Sequence, residues 1–417
     1  MNSIKRTKYA CYATNLTMSV VGNISPLLFV TFNSMYGISF TLLGLLIFIC
    51  FSTQLVVDLI FSFLSHRFNI GITVKATPMI ATAGMIIYAL SPMIFGDNVY
   101  IGLIIGTMVF SAASGFSEVL TTPVIAALPS DDTSREVSKL HSVYAWGVVF
   151  VVVFSTLFVH FCSSKNWPWL ILIFTIIPVT ASLLFFCAEI PQIDSDNNKV
   201  SGGKPIRIRC LMLCVIAIFF GGATECVMAQ WASSYLEAAL GIPKLVGDIA
   251  GIAAFMIMLG LGRSLYAKTG KNVCKVMLLG AVFATICYIS VATSTYPIIG
   301  VVACELTGLF ASMLWPGSLI VSSSLFPKGG VFLYAIMAAG GDLGAALAPQ
   351  LVGAAIDIAA ATPWLNQASS SLGVSIEELS MRLALLIGAV FAAFSALVYY
   401  LLFRVYKKYT KEEVARH

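Results

Sequence analysis

The sequence predicts an all-α integral membrane protein of twelve transmembrane helices arranged as two pseudo-symmetric six-helix halves. Three observations predict it. First, 59% of the 417 residues are hydrophobic and only 10% are charged, with a mean hydropathy of +0.93, a composition too apolar for a water-soluble globular chain. Second, apolar runs long enough to cross a roughly 30 Å hydrocarbon core as helices recur near residues 9–33, 40–64, 74–95, 99–127, 138–161 and 167–188, then near 208–236, 246–267, 273–293, 296–324, 330–358 and 381–404. Third, the order of features in Ser114–Gly147 returns in Glu305–Asp342: glycine, apolar helix, Pro in mid-helix (Pro123, Pro316), Pro near the helix end (Pro129, Pro327), short charged loop, glycine-bearing helix. Duplication of this kind places a site between two halves that share one broken-helix design.

The halves are read as 1–189 and 208–417, joined by a polar cytoplasmic linker, 190–207, within which PQIDSDNNKVSGGKP is the longest stretch without apolar periodicity. Lys5, Arg6 and Lys8 precede the first apolar run. That run is too long for a signal peptide and lacks a small-residue cleavage pattern, so it reads as a retained span. Most cations lie at the termini, in the linker or in alternate loops, whereas Lys165, Lys244 and Arg382 fall on the opposite side. By the positive-inside rule both termini are cytoplasmic, in a multi-pass protein of the cell (inner or plasma) membrane. The net charge of +5 follows from this asymmetry and gives no case for nucleic-acid binding, because no basic stripe is interleaved with exposed aromatics.

The polar residues inside the spans are the functional candidates. In the first span, Asn23 and Ser25 precede Pro26, and a mid-helix proline frees a carbonyl that protein or a watery cavity must satisfy. They line a polar path or serve helix packing; the pattern fits both. The second span holds Asp58 and ends before His66-Arg67, and the eighth ends in LGLGRSLYAKTGK around Arg263. Asp58, Arg67 and Arg263 are therefore candidates for a cytoplasmic latch made and broken as the halves rock, with positive-inside anchoring as the simpler role of Arg67. In the fourth span a charged Glu118 at the bilayer centre costs about 2.5–3.5 kcal/mol. A carboxyl that is neutral in one state and charged in another gives that cost a use, namely carrying a proton. His141 and Tyr144 of the fifth span can hydrogen-bond a polar ligand.

In the second half, Glu225, Gln230 and Trp231 lie close in the seventh span. Glu225 and Gln230 are about 140° apart on a helix and meet at one ligand only if Gly221-Gly222 unwinds it. Trp315 stands beside the Pro316-Gly317 break as a flat wall for the C–H face of a sugar, and Asp342 is a further mid-span acid. Glu118, Glu225 and Asp342 are thus the proton-coupling candidates. Asn23, Glu118, His141, Tyr144, Glu225, Gln230, Trp231 and Trp315 are the solute-binding candidates. The ten cysteines and four histidines show no spacing that would complete a zinc site, so no metal or cofactor is expected.

These residues resemble the major facilitator superfamily, and within it the fucose permease-like sugar:proton symporters. Gly115-Phe116-Ser117-Glu118, then Pro123 and Leu128-Pro129, is similar to that family's fourth-helix signature; Gly222-Ala223-Thr224-Glu225 with Trp231 is similar to its seventh-helix segment, and Trp315-Pro316 to its aromatic-Pro pair on the tenth. The resemblance implies alternating access, a proton-coupling role for Glu118 and a sugar contact at Trp315. Two departures stand out. The first span keeps only Asn23 of the family's Asn-apolar-Asn-Asp run, and His141 and Tyr144 replace amide side chains in the fifth.

The expected function is secondary active transport of a small polar solute, a sugar or polyol, by proton symport, by a monomer in a lipid bilayer. The alternatives are a proton-coupled exporter of drugs or metabolites and, from another class, a non-transporting receptor or sensor. A sensor is expected to carry a signalling domain, and only VYKKYTKEEVARH follows Arg404. No metal cluster, catalytic triad or phosphate loop points to an enzyme.

Overall fold

The computed structural model describes residues 3–38, 40–193, 205–270, 272–294 and 296–414. Among the described residues there is no β-strand. Twelve long helical segments succeed one another: α1 (Ser3–Leu27, prolonged by Phe29–Tyr36), α2 (Phe40–Leu64), α3 (Ile70–Ala89), α4 (Val99–Ala127), α5 (Thr133–Cys162) and α6 (Trp167–Phe174 with Ile176–Phe186), then α7 (Pro205–Leu240), α8 (Ala254–Thr269), α9 (Val273–Thr293), α10 (Pro297–Ala311 with Leu314–Leu325), α11 (Gly330–Ala360) and α12 (Ile376–Val414). Ten stretches among the described residues are long and apolar enough to cross a membrane. The stretches around α1 and α8 are not among them, the first being rich in Asn, Thr and Ser and the second entering through a π-turn, Asp248–Ala253, ahead of α8. Much of the expected linker, 194–204, lies outside the described residues, and α7 begins at Pro205, three residues ahead of the expected span.

The chain divides into two compact units: Met1–Val200 with Lys328–Ala339, and Ser201–Pro327 with Gly340–His417. In the first, an aromatic cluster joins α1, α3, α4 and α6. Trp167 packs edge-on to Phe32 with ring centroids 4.9 Å apart and donates its indole N–H to the Tyr36 hydroxyl at 3.1 Å, while the Tyr88 hydroxyl meets Ser25 at 2.9 Å. In the second, three buried tyrosines perform the same task with backbone acceptors. Tyr288 of α9 donates to the Thr224 carbonyl at 2.8 Å, Tyr235 of α7 to that of Val291 at 2.9 Å, and Tyr399 of α12 to that of Leu314 at 2.8 Å. Each supplies a large apolar ring and a satisfied polar tip.

Glycines set the closest helix approaches. A Cβ on Gly106 of α4 would lie 2.7 Å from Tyr88 Cβ, and one on Gly84 of α3 would lie 2.9 Å from Phe110 Cβ, so α3 and α4 pack at small-residue distance. Helix interruptions follow proline only in part. α1, α6 and α10 break at Leu28, Thr175 and Ser312-Met313, each within four residues of Pro26, Pro178 or Pro316. α4 and α11 run straight through Pro123 and Pro349. The broken design expected in both halves is therefore present at Pro316 and absent at Pro123. The long loop after α11 contains a further helix, Pro363–Leu372, with buried Leu365 and a left-handed glycine stop at Gly373 (φ 67°). Beyond it, Arg382 of α12 pairs with Glu378 at 3.0 Å and donates to the Ser294 carbonyl at the end of α9.

Gly106→Leu is expected to cost about 1–3 kcal/mol through overpacking of the α3–α4 contact; a thermal-melt assay of the detergent-purified variant, showing a clear drop in Tm, checks this.

Candidate functional site

In the N-terminal unit the polar candidates gather on α1, α4 and α5. Asn15 of α1 donates its amide to the Leu140 carbonyl at 2.6 Å and Ser19 its hydroxyl to the Tyr144 carbonyl at 2.8 Å. A Cβ on Gly147 would come within 2.6 Å of Leu16 Cδ1. This zipper fixes the register of α5 on α1. Asn23, one turn beyond Ser19, donates to the Ser19 carbonyl at 2.9 Å, and a Cβ on Gly22 would stand 4.0 Å from the Tyr144 hydroxyl. On the α4 side, His141 Nε2 meets the Thr122 hydroxyl at 3.4 Å, and half-buried Glu118 lies one turn before Thr122 on the same helix face. The structure thus brings Asn23, Tyr144, His141 and Glu118 onto adjoining turns of three packed helices.

Asp58 is fully buried in α2, with Ser62 donating to its carbonyl at 2.7 Å, while Arg67 is exposed in the turn Ser65–Arg67. Arg263 is absent from the loop cations: it is only 3% exposed. The loop charges cluster instead where α1 begins and α4 passes into α5, around a cavity of about 270 Å³ lined by Lys8, Asp131, Asp132, Arg135, Glu136 and Lys139. There Glu136 receives Lys8 and, at 2.7 Å, Lys139, and Arg135 pairs with Asp132 at 3.0 Å.

In the C-terminal unit Arg263 of α8 reaches Glu225 of α7. One terminal guanidinium nitrogen lies 2.9 Å from both carboxylate oxygens, and Glu225 is 8% exposed. The Nε of the same guanidinium donates to the Ser312 carbonyl at 3.0 Å. That carbonyl is the one Pro316 leaves without a helical donor, because proline at position i has no N–H to give residue i−4. Nearby, a Cβ on Gly222 would lie 2.9 Å from Trp315 Cζ3, and one on Gly341 would lie 2.7 Å from the same atom. The half-exposed Trp315 indole is thus slotted against two glycines. Asp342 follows Gly341 and is 8% exposed.

Two expectations for α7 change. α7 is unbroken from Pro205 to Leu240, so Gly221-Gly222 does not unwind it; Gly222 admits the Trp315 ring instead. Glu225 and exposed Gln230 therefore point about 140° apart and do not meet. Trp231 donates its indole N–H to the Pro349 carbonyl at 3.1 Å and packs against Gly353, which uses its polar handle to clamp α7 to α11. The Glu225–Arg263–Ser312 chain is the feature sequence reasoning missed. Its signals were an arginine amid glycines in an apolar span and the Gly-Gly pairs at 221–222 and 340–341.

Two units of packed helices, in which ten stretches among the described residues are long and apolar enough to cross a membrane, define a multi-pass membrane protein. The sequence model of the Major Facilitator Superfamily matches residues 10–349, and the chain belongs to that family. No curated protein sequence matches it. Among solved structures it is similar to FucP, a Major Facilitator Superfamily transporter in the outward conformation, at 14% identity and TM-score 0.72, covering 94% of this chain and 99% of that one. A variant of the E. coli fucose:proton symporter FucP gives 14%, 0.69 and the same coverage. The proton:xylose symporter XylE bound to 6-bromo-6-deoxy-D-glucose gives 12% identity and TM-score 0.75, covering 95% of this chain and 94% of that one. At these identities the likeness is one of fold.

Arg263→Met leaves the Glu225 carboxylate buried without its cation and is expected to cost about 3–5 kcal/mol; adding Glu225→Gln should recover part of that loss in a thermal melt of the double variant, the remainder being the Ser312 carbonyl left without its donor.

Proposed function

We propose that the protein moves a small polar solute, a sugar or polyol, by proton-coupled symport with alternating access, in the cell membrane with both termini cytoplasmic. The observation that carries this reading is the buried Glu225–Arg263 pair beside the Trp315 indole in one unit. An indole face suits the apolar C–H face of a sugar ring. A carboxylate in an apolar interior is costly to keep, and proton carriage gives the cost a use. Glu118, with Asn23, His141 and Tyr144 on adjoining turns, supplies the other unit's hydrogen-bonding strip for hydroxyl groups. Asp342, one residue past the glycine that seats Trp315, is the third candidate proton carrier. FucP and XylE, which share the fold, are described as proton symporters of fucose and xylose, and this agrees with the chemistry of the two strips.

The test is uptake of labelled sugars, polyols, amino acids and nucleosides into proteoliposomes with and without an inward proton gradient. Gradient-stimulated uptake of one sugar or polyol class is expected; a folded protein that takes up none of them sinks the solute assignment and favours export. Within that assay Glu118→Gln should abolish gradient-driven accumulation while solute exchange persists, and Trp315→Ala should raise KM at least about tenfold, corresponding to roughly 1.4 kcal/mol. An unchanged KM removes Trp315 from the site.

A further inference from the structure

We infer that Arg263 is a positioning residue that ties the ionisation of Glu225 to the geometry of the α10 break, and so to the placement of the Trp315 indole. The inference rests on the reading above for its meaning in transport, and on geometry alone for its mechanics.

One guanidinium has two jobs here. Its terminal nitrogen binds both oxygens of Glu225 on α7, and its Nε binds the Ser312 carbonyl on α10. Ser312-Met313 is the interruption in α10, and Trp315 is the second residue after it. A planar guanidinium holds its donors in a fixed fork, so the direction of Nε toward Ser312 depends on where Glu225 holds the neighbouring terminal nitrogen. Protonating Glu225 removes the charge from the acceptor and weakens a two-oxygen contact. The fork is then free to turn, and the Ser312 carbonyl loses a donor it cannot replace from Pro316. Trp315 senses this directly, because its ring is seated with little clearance against Gly222 and Gly341.

Among the described residues, other ionisable groups on the helices packed around this point include Cys214 and Cys226 of α7, Tyr288 of α9, Cys304 and Glu305 of α10, Asp342 of α11 and Tyr399 of α12. Tyr288 and Tyr399 donate to the Thr224 and Leu314 carbonyls. Asp342 is adjacent to Gly341 and is the main rival for any proton-linked movement of Trp315. The strap explains why an arginine is kept in the interior of an apolar unit, where a cation is expensive: it is the donor that an in-helix proline demands and the counter-charge of a carboxylate at once.

The experiment is 19F NMR of the full-length protein labelled with 5-fluorotryptophan, with the Trp315 resonance assigned by its loss in Trp315→Phe. With no solute present, that resonance should move through one protonation step across the range where carboxyls titrate. The step should vanish in Glu225→Gln and persist in Asp342→Asn. In Pro316→Ala, which returns an amide N–H to the Ser312 carbonyl and leaves both charged residues in place, the pH-dependent displacement should shrink. A Trp315 resonance that ignores pH, one that titrates equally in Glu225→Gln, one that is silenced by Asp342→Asn instead, or an undiminished step in Pro316→Ala overturns the strap. Loss of the step in Glu225→Gln together with no sugar or polyol uptake in proteoliposomes would leave the strap standing and remove the solute reading.

Discussion

Inside hydrocarbon a backbone carbonyl finds no water, and Pro316 leaves the Ser312 carbonyl without the amide that a regular helix would supply. Much of the C-terminal unit is arranged around that vacancy. Arg263 fills it from α8, and a cation brought into an apolar interior needs a counter-charge, which Glu225 provides from α7. The Leu314 carbonyl, just past the break, accepts from the Ser318 hydroxyl and from Tyr399 of α12. One proline in α10 thus draws in side chains of two other helices, α8 and α7. The glycine pairs at 221–222 and 340–341 let α7 and α11 close on the indole that the break presents.

The N-terminal unit meets the same constraint by a different route. Its breaks at Leu28 and Thr175 lie in an aromatic cluster, and its polar strip is assembled from side chains whose hydrogen bonds run to neighbouring backbone: Asn15 to Leu140, Ser19 to Tyr144, Asn23 to Ser19. There α4 passes through Pro123 unbroken. The two units share a fold and differ in their chemistry. One presents a strip suited to hydroxyl recognition, with a single carboxyl at Glu118, and the other an ion pair built beside a flat aromatic wall.

How much of this was legible depended on how local the cause was. The all-helical plan and the order of the spans were readable largely from hydrophobic length, which ten stretches among the described residues satisfy. Glu118, Glu225, Arg263 and Trp315 stood out because polar or aromatic residues at special places in apolar runs are rare. Their partners did not. Arg263 was read with Arg67 and the loop cations because sequence gives depth along a helix poorly and gives no information on which face turns inward. Gly221-Gly222 was read as a point of unwinding, yet the same lack of a Cβ that permits unwinding also permits close packing, and only the neighbouring Trp315 ring decides between them. Trp231 stood among the solute-binding candidates, and sequence held no sign that its N–H binds the Pro349 carbonyl, 118 residues away in the chain.

The most direct test of proton-linked solute movement is the pH of a weakly buffered medium around de-energised vesicles containing the protein when a transported sugar or polyol is added. Symport requires protons to enter with the solute, so a transient alkalinisation of the medium is expected, abolished by a protonophore. Solute entry at full rate with no change in external pH would contradict the coupling on which this account of Glu118, Glu225 and Arg263 is built.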